Sequence, residues 1–115
     1  MYKLNKGSIV KKNKHFQAIY QSGISYANKM LVLYILPNHE NGRQVGFAAG
    51  KRLGCAVIRN RAKRLLREVY RLNQNRLADN MSFLLVARKP LVDADREEVT
   101  KAFLDLSRRA KILIK

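Results

Sequence analysis

Acidic residues are scarce in this chain: its 115 residues carry 8 Asp and Glu against 24 Lys and Arg, a formal net charge of +16. Self-repulsion on that scale opposes compaction unless a polyanion neutralises it. Nucleic acid is the first candidate partner and an anionic membrane the second. Cysteine is represented once, by Cys55, which excludes an internal disulfide framework and suits a reducing cytoplasm. Long apolar runs are missing, since the stretch 30–36 is far too short to span a bilayer. No apolar signal-peptide stretch follows the N-terminal lysines. A secreted or membrane-embedded protein is therefore not expected, and the expected location is cytoplasmic.

The groups that perform protein-based catalysis are equally thin. His15 and His39 lie far apart in sequence and Cys55 stands alone, so no zinc-ligand spacing exists. The acids at 93, 95, 97 and 98 read as helix-start residues rather than a two-metal site. No nucleophile is paired with a base. The expectation is a protein without catalytic residues and without a firmly bound metal.

What the chain does have is a core. Apolar residues make up 47% of it, which separates it from a disordered basic tail, and its length fits one domain, residues 1–115. Residues 1–12 are basic and aperiodic and are expected to form an extended arm. The charge is uneven: residues 1–78 are net +14 and residues 79–115 net +2, so the first two thirds should build the polyanion surface.

Asn13 can cap a short helix running to about Ser22, with Gly23 at its C′ position. Residues 26–36 are rich in β formers and read as one strand ended by Pro37. The Asn41-Gly42 turn signal and the run Gln44–Ala49 then suggest an antiparallel hairpin. A glycine-bounded basic loop, Gly50 to Gly54, precedes a long amphipathic helix over 56–75. A strand over 81–87 follows. Asp95 to Glu98 has the form of a capping box opening a last helix, whose buried stripe is Val99, Ala102, Phe103, Leu106 and Ala110. The order α-β-β-α-β-α, with a short extra strand possible, predicts an α+β sandwich whose central sheet is mostly antiparallel.

The segment Arg59-Asn60-Arg61-Ala62-Lys63-Arg64-Leu65-Leu66-Arg67-Glu68 carries the strongest functional signal. At helical spacing Asn60, Lys63, Arg64, Arg67 and Arg71 gather opposite the apolar stripe, flanked by Arg59 and Arg61. Solvated surface helices usually place acids four residues from bases. Here Glu68 is the lone acid, so the face reads as a phosphate-binding one. Arginine offers phosphate a planar fork, and Asn60 can reach a 2′-hydroxyl or base edge. A second feature is aromatic: Phe16 and Tyr20 lie four apart, and Tyr34 sits on the neighbouring strand. Core packing is the plain explanation of such rings. Lys12 and its basic neighbours raise the other reading, a stacking platform for unpaired bases. The Gly50–Gly54 loop lacks a Walker ending and reads as a tight turn.

Residues 45–68, with their Arg-Asn-Arg core followed by Lys-Arg and a further Arg, resemble the signature of the bacterial ribonuclease P protein component. The resemblance extends to Lys11-Lys12-Asn13 with Phe16 and Tyr20, to the strand at 31–36, and to Val86-Ala87-Arg88-Lys89. It implies the protein subunit of an endoribonuclease that removes the 5′ leader of precursor tRNA. The RNA subunit would be the catalyst and hold most of the Mg²⁺, with none bound firmly by the protein. Arg59, Asn60, Arg61, Lys63, Arg64, Arg67 and Arg71 would bind that RNA. Phe16, Tyr20, Tyr34 and Lys12 would line the cleft for the leader. The implied partners are therefore the catalytic RNA subunit and precursor tRNA, with no membrane and no obligate protein partner. The resemblance also implies a left-handed β-α-β crossover, where the general rule favours a right-handed one. The chain departs from the family at Cys55, where Asn is frequent, at Arg52, where Lys is common, at Tyr20, where Phe is frequent, and at Ser8-Ile9-Val10, which replaces an Arg-Leu pair. A ribosome-associated structural protein would share the charge and fold. A cationic membrane-surface protein would need an exposed amphipathic helix, whereas the apolar faces here are needed for the core.

Overall fold

A computed structural model describes residues 19, 21–37, 43–79 and 81–114. Four strands form one sheet: β1 (Ile24–Ala27), β2 (Leu31–Pro37), β3 (Gln44–Ala49) and β4 (Met81–Ala87). Two long helices accompany them, α1 (Ala56–Asn73) and α2 (Arg96–Arg109). The spatial order is β1-β2-β4-β3, with β1–β2 and β2–β4 antiparallel and β3–β4 parallel. The fold is thus the expected α+β sandwich with a mostly antiparallel sheet.

Two local expectations are corrected. The apolar run at 26–36 is two strands, because Asn28 turns the chain: its Oδ1 accepts the N–H groups of Met30 and Leu31 at 3.0 and 3.2 Å. Its Nδ2 donates to the Ala102 carbonyl at 3.0 Å, so the same turn is tied to α2. An asparagine side chain that mimics a backbone turn in this way overrides the β propensity on either side. The expected hairpin between β2 and β3 does not form either. β4 takes the place between them, with Ile35 opposite Phe83 on one side and Val45 opposite Phe83 on the other. β4 is the most fully buried strand, and the centre of the sheet is where both of its faces can be buried.

Alternation along β2 sorts the sheet into two faces. Leu31, Leu33 and Ile35 point into the main core with Val45, Phe47, Phe83 and Leu85, beneath Ala62, Leu66, Val69 and Tyr70 of α1 and Val99, Phe103 and Leu106 of α2. Tyr70 is the hub. Its ring lies 6.0 Å from Phe47, 6.2 Å from Phe83 and 6.4 Å from Phe103, in edge-to-face or tilted contacts. Burial pushes its hydroxyl up to about 12, so the phenol stays neutral in the core. On the opposite face a smaller cluster joins Ile19 and Leu84 with half-buried Tyr34, Leu36, Ala48 and Val86.

The helix ends are closed by local chemistry. Asp95 accepts the Glu98 N–H at 2.8 Å while Glu98 reaches back to the Asp95 N–H at 3.3 Å, completing the expected capping box. After α2 the chain turns through Lys111 at φ 59. The N–H of Ile112 bonds Ser107 O and that of Lys111 bonds Arg108 O, both at 3.1 Å, a Schellman cap built on a lysine. Gly23, expected after the first helix, is required by close approach, since a Cβ there would lie 2.4 Å from the Ile19 carbonyl oxygen. α1 gives way to a single 3₁₀ turn over Gln74–Arg76, close to the expected end.

Candidate nucleic-acid interface

The parallel pairing of β3 and β4 obliges the intervening chain to cross the sheet, and α1 makes that crossing with its apolar stripe down. Its sequence dictates the rest. Ala62, Leu66, Val69 and Tyr70 are buried, which turns Asn60, Arg61, Arg64 and Arg67 to solvent and leaves Arg59, Lys63 and Arg71 half-buried along the flanks. All seven residues expected at the interface therefore lie on or beside one outward face.

Their surroundings differ. Asn60, Arg61, Lys63 and Arg64 have no ion pair or side-chain hydrogen bond among the described residues. The Arg67 guanidinium sits over the Phe47 ring at 5.7 Å, which holds it at the β3 side of the helix without consuming its hydrogen-bond donors. Arg59 has its Nε buried without a hydrogen-bond partner, a donor that an incoming acceptor would satisfy. Arg71 is the exception: its Nε donates to Glu68 at 3.1 Å and its Nη2 pairs with the same carboxylate. That hydrogen bond holds the Glu68 carboxyl below its ordinary range and raises Arg71 above its own. Arg71 is thus partly committed within the helix, a pairing that the Glu68-to-Arg71 spacing already carried.

A second group of cations was not singled out as a site. Lys51 and Arg52 follow β3, Arg88 and Lys89 follow β4, and all four are exposed. Because the two strands run in parallel, these pairs emerge at one end of the sheet, beside the start of α1. Lys89 Nζ reaches the Arg52 carbonyl at 3.5 Å, and Arg88 Nη1 donates to the Asn28 carbonyl at 3.0 Å. The signal was present in the sequence but needed the β3–β4 pairing to be read. Arg43, by contrast, is a structural cation. Its Nη1 donates to the carbonyls of Gln74 and Leu77 at 2.6 and 3.1 Å, tying the chain just before β3 to the turn that follows α1. Cys55 is the residue before α1 and makes no side-chain cap, although the nearby N–H groups of Ile58 and Val57 lower its thiol from the usual range.

On the other sheet face Tyr34 is half-buried against the Ile19–Leu84 cluster, so it lies away from α1. Its expected companions Phe16, Tyr20 and Lys12 fall outside the described residues, as does the arm at 1–12. The described acids make a poor cation cage. Glu68, Glu97 and Asp105 each lie in an ion pair, Asp95 caps α2, and no three His, Cys, Asp or Glu side chains gather among the described residues. No described helix is long and apolar enough to cross a membrane.

Comparison with known proteins gives one answer throughout. The ribonuclease P family profile matches residues 4–111. The ribonuclease P protein component of Natranaerobius thermophilus is 42% identical over 106 residues, covering 92% of this chain and 92% of its own. That of Alkaliphilus oremlandii is 40% identical over 104 residues, covering 90% of this chain and 91% of its own. Among solved structures, the RNase P protein of Staphylococcus aureus superimposes with a TM-score of 0.82 at 31% identity, covering 92% of this chain and 97% of that one.

Proposed function

The chain belongs to the ribonuclease P protein family, protein components of an endoribonuclease ribonucleoprotein, and from that premise we propose that it uses α1 to hold the catalytic RNA and the opposite sheet face to hold the 5′ leader of precursor tRNA. The outward residues Arg59, Asn60, Arg61, Lys63, Arg64 and Arg67 contact RNA phosphates and riboses, with Arg71 at the edge. Tyr34, together with Phe16, Tyr20 and Lys12, lines the leader cleft. Stacking on such rings tolerates any base, as a protein serving many different leaders requires. Phosphodiester cleavage belongs to the RNA, which holds the Mg²⁺. The protein binds, orients and neutralises, in the cytoplasm.

One observation carries this reading. On α2 two of the bases are answered by acids one helical turn away, in Glu97–Lys101 and Asp105–Arg109. The outward face of α1 leaves its cations unanswered, except for Arg71. A solvated helix has no reason to concentrate repulsion in this way, whereas a phosphate-binding helix does.

Arg64→Ala tests the reading most cleanly, because Arg64 is exposed and makes no ion pair or side-chain hydrogen bond among the described residues, and such surface changes move stability by within about 0.5 kcal/mol. Arg67→Ala also removes the contact with Phe47, so its fold needs a circular dichroism control. Titrated against the RNA subunit across a salt series, each variant should bind more weakly, with the slope of log K against log salt flattened by about 0.7–0.9 per lost phosphate contact. Wild-type affinity and slope for both variants would remove α1 from the interface.

A further inference from the structure

Between α1 and the residues that open α2 lies a groove of about 440 Å³, lined by Arg61, Arg64, Leu65, Glu68, Ala94, Asp95 and Arg96. Its volume is within the range of small-ligand sites. Leu65 and Ala94 are half-buried against the core and supply an apolar surface. Arg61 and Arg64 come from α1, and Arg96 is the first residue of α2, so three arginine side chains from two helices line it. The two acids are engaged locally. Glu68 is hydrogen-bonded to Arg71, and Asp95 accepts the Glu98 N–H. Arg96 lies close enough to Glu68 to lower its pKa, yet none of the three arginines has an ion pair or side-chain hydrogen bond among the described residues.

We propose that this groove is a nucleotide pocket. It receives one unpaired nucleotide of the RNA subunit, with the base against Leu65 and Ala94 and its flanking phosphates among Arg61, Arg64 and Arg96. The inference rests on the reading that α1 faces that RNA, and it extends the contact surface to α2. The combination of surfaces selects the occupant. An apolar wall alone would suit any hydrophobic group, and guanidiniums alone would suit any phosphate. A base with its phosphates satisfies both, because arginine planes stack on bases and fork onto phosphate oxygens. A paired base keeps its faces inside the duplex, so the occupant is single-stranded. A smaller depression of about 220 Å³, lined by Val57, Asn60, Arg61 and Arg64, adjoins the groove across its two shared arginines. Val57 is 67% exposed there, which gives a neighbouring nucleotide a second apolar contact.

The test uses the full-length protein bound to its cognate RNA subunit, with Arg96→Ala as the probe and Arg108→Ala, an exposed arginine at the far end of α2, as control. Arg64→Ala reports on the parent reading. Arg96→Ala keeps the capping box, whose side chains are those of Asp95 and Glu98. It should weaken RNA binding about 5- to 10-fold, as expected for a lost arginine contact, while Arg108→Ala binds as wild type. Base-modifying reagents should show one or two unpaired nucleotides that are shielded by the wild-type protein and regain reactivity with Arg96→Ala. Wild-type affinity for Arg96→Ala, or weaker binding with every shielded base still shielded, would overturn the pocket. If Arg64→Ala also bound as wild type, the α1 reading itself would fall, a result distinct from failure of the pocket alone.

Discussion

Residue type says which side chains can bind phosphate, but not which are free to do so. Arg43, Arg64 and Arg71 look alike in the sequence. In the fold the first ties the start of β3 to the turn after α1, the second makes no ion pair or side-chain hydrogen bond among the described residues, and the third is hydrogen-bonded to Glu68. The outward set on α1 was legible because a 3.6-residue period leaves little choice once the apolar stripe is buried. The structural role of Arg43 was not, since it depends on where β3 begins relative to a helix end some thirty residues later. Tyr34 is the residue on which the leader reading can be tried. It lies half-buried on the sheet face opposite α1. Tyr34→Leu keeps an apolar side chain there while removing the stacking ring. Binding of tRNA to the reconstituted holoenzyme should weaken by roughly 1–3 kcal/mol for a leader-bearing precursor and stay unchanged for mature tRNA. Equal losses for the two forms would make Tyr34 a packing or RNA-subunit residue.

At the scale of elements, local signals were reliable wherever the chain satisfies its own backbone. Asp95 and Glu98 at capping-box spacing, the apolar period of α1 and the β-rich run of β4 all form what they predict. Partner choice was not legible. The Asn41-Gly42 signal suggests that β2 and β3 pair, yet the gain from burying both faces of β4 places that strand between them. The division of the 26–36 run at Asn28 was likewise hidden, because its cause includes a bond to Ala102 on a distant helix. The α2 cap offers a check on the local account. Lys111 occupies a left-handed conformation that costs a non-glycine residue roughly 1–2 kcal/mol, part of which glycine recovers despite its greater unfolded-state entropy. Lys111→Gly should therefore raise unfolding stability in urea by about 1 kcal/mol. A destabilised variant would mean that the lysine side chain itself holds the cap.

The whole molecule presents two working surfaces separated by the sheet. α1 is bound to one face by the Tyr70 hub and exposes a cationic outer side, and Tyr34 marks the other face. On the proposed reading, this arrangement would let one small protein touch the RNA subunit and a substrate strand at once, which composition alone could not reveal. The same reading would have cations fixed on a rigid helix offset phosphate repulsion that Mg²⁺ would otherwise have to screen. The most direct measurement is the rate of 5′ leader removal from precursor tRNA across a Mg²⁺ series. It compares cognate RNA alone, RNA with this protein, RNA with the Arg64→Ala, Arg67→Ala double variant, and highly purified protein alone. The account predicts that the protein lowers the Mg²⁺ requirement of the RNA, that the double variant largely fails to do so, and that protein alone cleaves nothing. An unchanged Mg²⁺ requirement with wild-type protein, or Mg²⁺-dependent cleavage by protein free of RNA, would contradict it.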